Sequence, residues 1–202
     1  MEATEVLTVG HSTLPYERFL SLLRGAGVTA VADVRSTPYS RQFPHFSRDP
    51  LYEELRSDGI SYVFLGKELG GRPSEEKFYC EGVADYEKMA QAPEFNAALD
   101  RVIEGAKQHR IALMCSERDP LDCHRCLLVG RALARRGVRV GHILSDGSVV
   151  RHEQIEDRLL ELAGRTDDDL FATRSDRLAA AYRERARKVA FAEPQVPIRA
   201  AR

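Results

Sequence analysis

Five short β-rich runs recur along this chain, and segments of helical character separate them. The runs are Val6-Leu7-Thr8-Val9, Ala30-Val31-Ala32-Asp33-Val34-Arg35, Ser61-Tyr62-Val63-Phe64-Leu65, Ile111 to Cys115 and Val138 to Leu144. The first separating helix is expected over Tyr16 to Leu23, closed by Gly25 and Gly27. The next is Leu51 to Arg56, with Asp49-Pro50 as its cap and Gly59 as its stop. Phe95 to His109, about Cys123 to Arg136, and His152 to Ala163 complete the series, and Asp146-Gly147 turns the chain into Val149-Val150. Strands that alternate with helices return by crossover, so they build a mainly parallel sheet with helices on both faces. The expected fold class is therefore α/β, a three-layer Rossmann-like arrangement.

Residues 1–164 are expected to form a single α/β domain. Residues 66–92, rich in Gly, Lys and Glu with no sustained period, read as an excursion containing short helical pieces. Beyond Gly164 the composition shifts. Thr166-Asp167-Asp168-Asp169 reads as an acidic turn, 175–190 as an Ala/Arg-rich helix, and Pro194 and Pro197 lie in a basic tail. Residues 165–202 are thus expected to be a helical, basic C-terminal appendage.

Charge excludes some function classes. Lys+Arg number 30 against 31 Asp+Glu, so no global field drives the chain onto nucleic acid or an anionic membrane. No apolar run approaches the roughly 20 residues that span a bilayer. The acidic start, Met1 to Glu5, lacks the pattern of a signal peptide, so a cytoplasmic location and no membrane partner are expected. In that compartment the four cysteines read as thiols or metal ligands rather than disulfides.

Three of those cysteines fall between Cys115 and Cys126, with His124, Arg118, Arg125, Glu117, Asp119 and Asp122 among them. The stretch runs from the end of a strand, through a polar loop, to the start of a helix, which is where α/β proteins place ligands. Cys115 reads either as a buried apolar side chain or as a thiol facing the strand-end crevice, with Glu117 on the same side as acid/base. Cys123, His124 and Arg125 are expected in the first helical turn, where a thiolate is favoured and an Arg clamps an anion. A phosphatase-type loop fits poorly, since Cys115 to Arg125 is long and Asp119, Asp122 and Glu117 would repel phosphate. Zinc on Cys115, Cys123, His124 and Cys126 also fits poorly: only Cys123-x-x-Cys126 has ligand spacing, and adjacent residues on a helix point about 100° apart.

His11 and Ser12 follow the first strand, and Asp33 and Arg35 end the second. His11 reads as a general acid/base or, with Ser12, as a helix cap; Asp33 and Arg35 share a face and either bind ligand or pair with each other. Ser40 to Phe46, with Arg41, mixes basic and aromatic residues as nucleotide-binding surfaces do and reads either as a basic, aromatic rim together with Lys67, Arg72 and Lys77 or as a solvated loop anchored by its two Phe.

Together, Gly10-His11-Ser12, Asp33-Val34-Arg35, Cys115-x-Glu117 and Asp119-Pro120-x-x-Cys123-His124-Arg125 resemble the bacterial "domain of unknown function 488" family, over roughly residues 5–163. The resemblance implies an α/β fold and a shared polar site, and carries no reaction.

The resulting expectation is an enzyme acting on a phosphate-bearing ligand, a nucleotide or nucleic acid, with hydrolase or transferase chemistry. Its catalytic candidates are His11, Asp33, Cys115, Glu117, Cys123 and His124, and its ligand-binding candidates Ser12, Arg35, Arg41 and Arg125. No metal and no cofactor are assigned. The alternatives are a non-catalytic thiol-redox or metal-binding module built on Cys115 and Cys123-x-x-Cys126, and a nucleic-acid-binding accessory using the 40–46 loop and the basic tail.

Overall fold

The computed structural model describes residues 4–166 and 171–193. The expected acidic turn, apart from Thr166, and the Pro194–Pro197 tail lie outside the described residues. Along the chain come β1 (Glu5–Gly10), α1 (Tyr16–Gly25), β2 (Ala30–Asp33), α2 (Arg48–Ser57) and β3 (Ser61–Phe64). The excursion holds α3 (Gly66–Leu69), the hairpin β4 (Tyr79–Cys80) and β5 (Val83–Ala84), and α4 (Tyr86–Met89). Then follow α5 (Pro93–Gly105), β6 (Ile111–Cys115), α6 (Arg131–Arg135), β7 (Arg139–Ile143), β8 (Val149–Arg151), α7 (His152–Leu162) and α8 (Arg174–Val189).

The main sheet has the order β3-β2-β6-β1-β7-β8, parallel throughout except for β8, which runs antiparallel to β7. It is a three-layer α/β fold, as the alternation requires. Its strand order differs from the 3-2-1-4-5-6 of dinucleotide-binding sheets, because β6 inserts between β2 and β1. β6 is buried at all five positions, which explains its unbroken apolar run, Ile-Ala-Leu-Met-Cys. The alternation divides it between two cores. Leu113 and Cys115 face α5, α6, α7 and α8 with Phe95, Leu133, Ile155 and Tyr182. Ala112 and Met114 face α1 and α2 with Phe19, Leu23, Leu51 and Leu55.

Three expected boundaries shift, each for a local reason. Ser47, in extended backbone, precedes α2, so Asp49 and Pro50 sit in its first turn rather than capping it. The β2 strand stops at Asp33, which frees Arg35 to fold back on Asp33. The expected helix over Cys123–Arg136 is a π-helical segment over Arg125–Gly130 followed by α6. A 3₁₀ turn over Pro120–Asp122 precedes it, capped by the Asp119 carboxylate, which accepts from the Leu121 N–H at 2.8 Å, with Pro120 at the first position. That turn leaves Cys123 in extended backbone, at φ −138° and ψ 140°.

After α8 the chain returns to the excursion. Ala84 N–H donates to Phe191 O at 2.9 Å and Glu193 N–H to Gly82 O at 2.8 Å. Among the described residues no helix is long and apolar enough to cross a membrane.

Candidate functional site

At the C-terminal ends of β2 and β6 lies a crevice of about 290 Å³. Arg35, Ser36 and Thr37 line it after β2, and Cys115, Ser116, Glu117, Asp122, Cys123 and His124 after β6. Tyr39, Gly71, Arg72, Tyr86, Val189 and Phe191 complete the wall. The loop after β2 leads to α2 on one face of the sheet, and the loop after β6 leads to α6 on the other. The two loops therefore diverge, and the space between them is the ligand position general to open α/β sheets.

Two thiols and a carboxyl form the floor. Cys115 Sγ lies 3.0 Å and Cys123 Sγ 3.1 Å from Glu117 Oε2. His124 presents Nδ1 to the same sulfurs, 3.7 Å from Cys115 and 3.8 Å from Cys123. Its Nε2–H donates to Val34 O at 2.8 Å, which fixes the ring with Nδ1 facing the thiols. Because Cys123 is extended and His124 opens the helix, their side chains converge instead of diverging by a helical step.

Burial pushes the Cys115 thiol well up, with Cys123 and Glu117 adding to the effect. Burial also opposes a Cys123 thiolate, but the Cys115 hydrogen bond, Arg125 and His124 outweigh it and hold this thiol well down. Glu117 is raised, by burial first and then by Cys123.

Arg125 is fully buried and does not line the crevice. Its Nη1 donates to Glu117 O at 2.5 Å and its Nη2 to Arg118 O at 3.0 Å, so it braces the loop rather than clamping a ligand. The same carbonyl requires Gly10, because a Cβ there would stand 1.9 Å from Glu117 O. Asp119 and Asp122, expected to repel an anion, are ion-paired with Arg158 and Arg185.

Asp33, Arg35 and His11 form a second layer. Arg35 grips Asp33 from Nε at 2.9 Å and Nη2 at 2.6 Å, and Tyr62 Oη–H donates to Asp33 Oδ2 at 2.8 Å. Arg35 Nη1 donates to His11 Nε2 at 3.3 Å, and His11 Nδ1–H donates to Ser12 O at 2.9 Å. The His11 ring also stacks on Phe46 at 4.1 Å. Burial, then Arg35, lowers its pKa to about 4. Both ring nitrogens are thus committed, and His11 supports Arg35 from behind the crevice. Ser12, at φ 47°, joins β1 to the β6 loop through its N–H to Ser116 O at 2.8 Å. Neither Ser12 nor Arg41 lines the crevice, and Arg41 is exposed. Phe46 is buried, so only part of the 40–46 loop faces outward.

Sequence reasoning passed over several residues. Tyr62 on the edge strand carried no motif, and its phenol is aimed at Asp33 only by the β2–β3 register. Arg72, expected in a basic, aromatic rim with Lys67 and Lys77, instead stacks its guanidinium over Phe191 at 4.9 Å, joining two regions read as excursion and appendage. A further buried chain links His142 Nε2 to His152 Nδ1 at 2.9 Å and His152 Nε2 to Tyr182 Oη at 3.0 Å, with Cys126 Sγ 4.0 Å from His142. Its one sequence signal was His142 sharing the inward face of its strand with Val140.

These features define an α/β domain with a thiol- and arginine-lined crevice at the carboxyl ends of its central strands. The chain belongs to the family described as Domain of unknown function DUF488, whose model matches residues 15–132. The match takes in Asp33, Arg35 and the whole Cys115-to-Cys126 stretch, and begins after Gly10-His11-Ser12. No curated protein and no solved structure matches the chain.

Proposed function

We propose that this protein is an enzyme acting on a phosphate-bearing small molecule, nucleotide-like in size, with Glu117 as its acid/base. One observation carries the reading: a carboxyl at the floor of the crevice faces a rim that supplies cationic donors and aromatic faces. Arg35 uses three of its five N–H groups on Asp33 and His11, leaving two for a ligand. Arg72 also lines the crevice, and its backbone N–H donates to the Ser36 hydroxyl at 2.9 Å. Tyr39, 68% exposed, and Phe191 offer faces on which a base can stack. Arginine pairs favour phosphate and carboxylate, and aromatic rims favour a nucleobase over a bare anion. In this reading the protein works in the cytoplasm, consistent with four unpaired cysteines.

Calorimetric titration with a panel of nucleoside phosphates and inorganic phosphate tests the proposal. Arg72→Ala is expected to weaken the best ligand by about tenfold, roughly 1.4 kcal/mol. Glu117→Gln is expected to keep ligand affinity while turnover disappears. A wild-type protein that binds none of the panel at millimolar concentration removes the reading.

A further inference from the structure

The geometry points to a metal site: we propose that Cys115, Cys123 and His124 bind one zinc ion, with its fourth position open to the crevice and Glu117 beside it. The three donor atoms, Cys115 Sγ, Cys123 Sγ and His124 Nδ1, all lie within 4.8 Å of one another. A tetrahedral zinc with bonds of about 2.3 Å to sulfur and 2.0–2.1 Å to nitrogen separates S from N by about 3.6 Å. The two S···N distances here, 3.7 and 3.8 Å, lie within a few tenths of an ångström of that separation.

The surroundings have the character of an outer metal shell. His124 donates its other ring N–H to a backbone carbonyl, the arrangement that fixes tautomer and ring plane in zinc-bound histidine. The Arg125 backbone N–H points at Cys123 Sγ from 3.5 Å. The Arg125 side chain is fully buried beside Cys123 and donates to the carbonyl oxygens of Glu117 and Arg118. All three ligands line the crevice, so the ion has an entry path and an open face. Three protein ligands plus an open position is the composition of a catalytic rather than a structural zinc site. Glu117 Oε2, next to both sulfurs, then stands where it can accept a proton from water on the metal. That role for Glu117 alone rests on the enzyme reading above; the metal site does not.

Cys126, His142 and His152 also bring three donor atoms within 4.8 Å. There the hydrogen bonds already close on themselves: Thr8 Oγ1 and His142 Nδ1 share one at 2.8 Å, and the His142–His152–Tyr182 chain uses the remaining nitrogens. This second set is the internal control.

The test is metal analysis of the full chain, stripped with chelator and reloaded with zinc or cobalt(II). One equivalent is expected in the wild type, in Cys126→Ser and in Glu117→Gln, and at least a tenfold loss of affinity in Cys123→Ser and His124→Ala. Should those two variants fail to fold, the cobalt spectrum of the wild type decides, through charge-transfer bands from two thiolates and d–d bands of a four-coordinate ion. Absence of stoichiometric uptake by the reduced wild type overturns the proposal. So does metal lost in Cys126→Ser but kept in Cys123→Ser. The nucleoside phosphate titration is read separately: metal bound without ligand removes the enzyme reading alone, and ligand bound without metal removes this site alone.

Discussion

Arg35 and Asp33 form a buried bidentate pair, with Nε 2.9 Å from Oδ1 and Nη2 2.6 Å from Oδ2, the two side chains being 4% and 0% exposed. Two residues apart in sequence, they close on each other just past the end of β2, and the Arg35 backbone N–H adds a third bond to Oδ1 at 3.1 Å. Removing one partner strands the other without solvent. Asp33→Asn is therefore expected to cost about 3–5 kcal/mol. Urea denaturation gives the value, and a loss under about 1 kcal/mol contradicts the account. Asp33→Asn combined with Arg35→Met should recover part of the loss, because neither charge is then left alone.

Acid should destabilise the fold through its buried histidines. His11 and His152 are both lowered to about 4, by burial in each case. Arg35 adds to the shift at His11, and Asp33 and the Ser12 carbonyl oppose it. A depressed folded-state pKa means that the unfolded chain binds the proton more readily between pH 6.5 and 4. Stability contributed by the neutral ring is complete above about pH 6.5 and disappears as the pH falls toward 4. Each histidine is expected to cost about 2 kcal/mol between pH 7 and pH 5. Urea midpoints at the two pH values measure this, and His152→Gln should flatten the dependence.

Gly10→Ala probes the contact between β1 and the loop that carries Glu117. Its Cβ would fall 1.9 Å from Glu117 O and 3.0 Å from Arg125 Nη1, so the loop must move. The expected destabilisation is about 1–3 kcal/mol. Displacement of Glu117 should appear as lost turnover in protein that is still folded by circular dichroism. Full activity with unchanged stability would show that the contact is not tight.

Tyr182→Phe removes one hydroxyl from the buried chain. That hydroxyl bonds His152 Nε2 at 3.0 Å and donates to Glu156 Oε1 at 3.1 Å. Its loss leaves a buried imidazole nitrogen unpaired, at an expected cost of about 1–3 kcal/mol. Thermal unfolding reports it, and the crevice should keep its ligand affinity, since His142 and His152 lie outside the crevice wall.

Much of the fold was legible because its signals are local. The run Ile111 to Cys115, apolar at every position, marks a strand, and the structure covers it on both faces. The helix expected from about Cys123 is preceded by a 3₁₀ turn over Pro120–Asp122, which leaves Cys123 extended; a helical reading of Cys123 separates it from His124. His11 was legible as special but not as buried, because the Phe46 ring that covers it comes from a loop 35 positions away.

The sequence by itself determined the three layers, the strand ends and the polar stretches that follow them, since each depends on the period of side chains along a few residues. Only the tertiary structure decided which polar groups meet. Strand order is a non-local result of packing two cores at once, and inserting β6 between β2 and β1 put Cys115 next to the loop that carries Arg35. The same packing turned Arg125 inward to brace the loop after β6 and set His124 against Val34, giving the two thiols a common nitrogen neighbour.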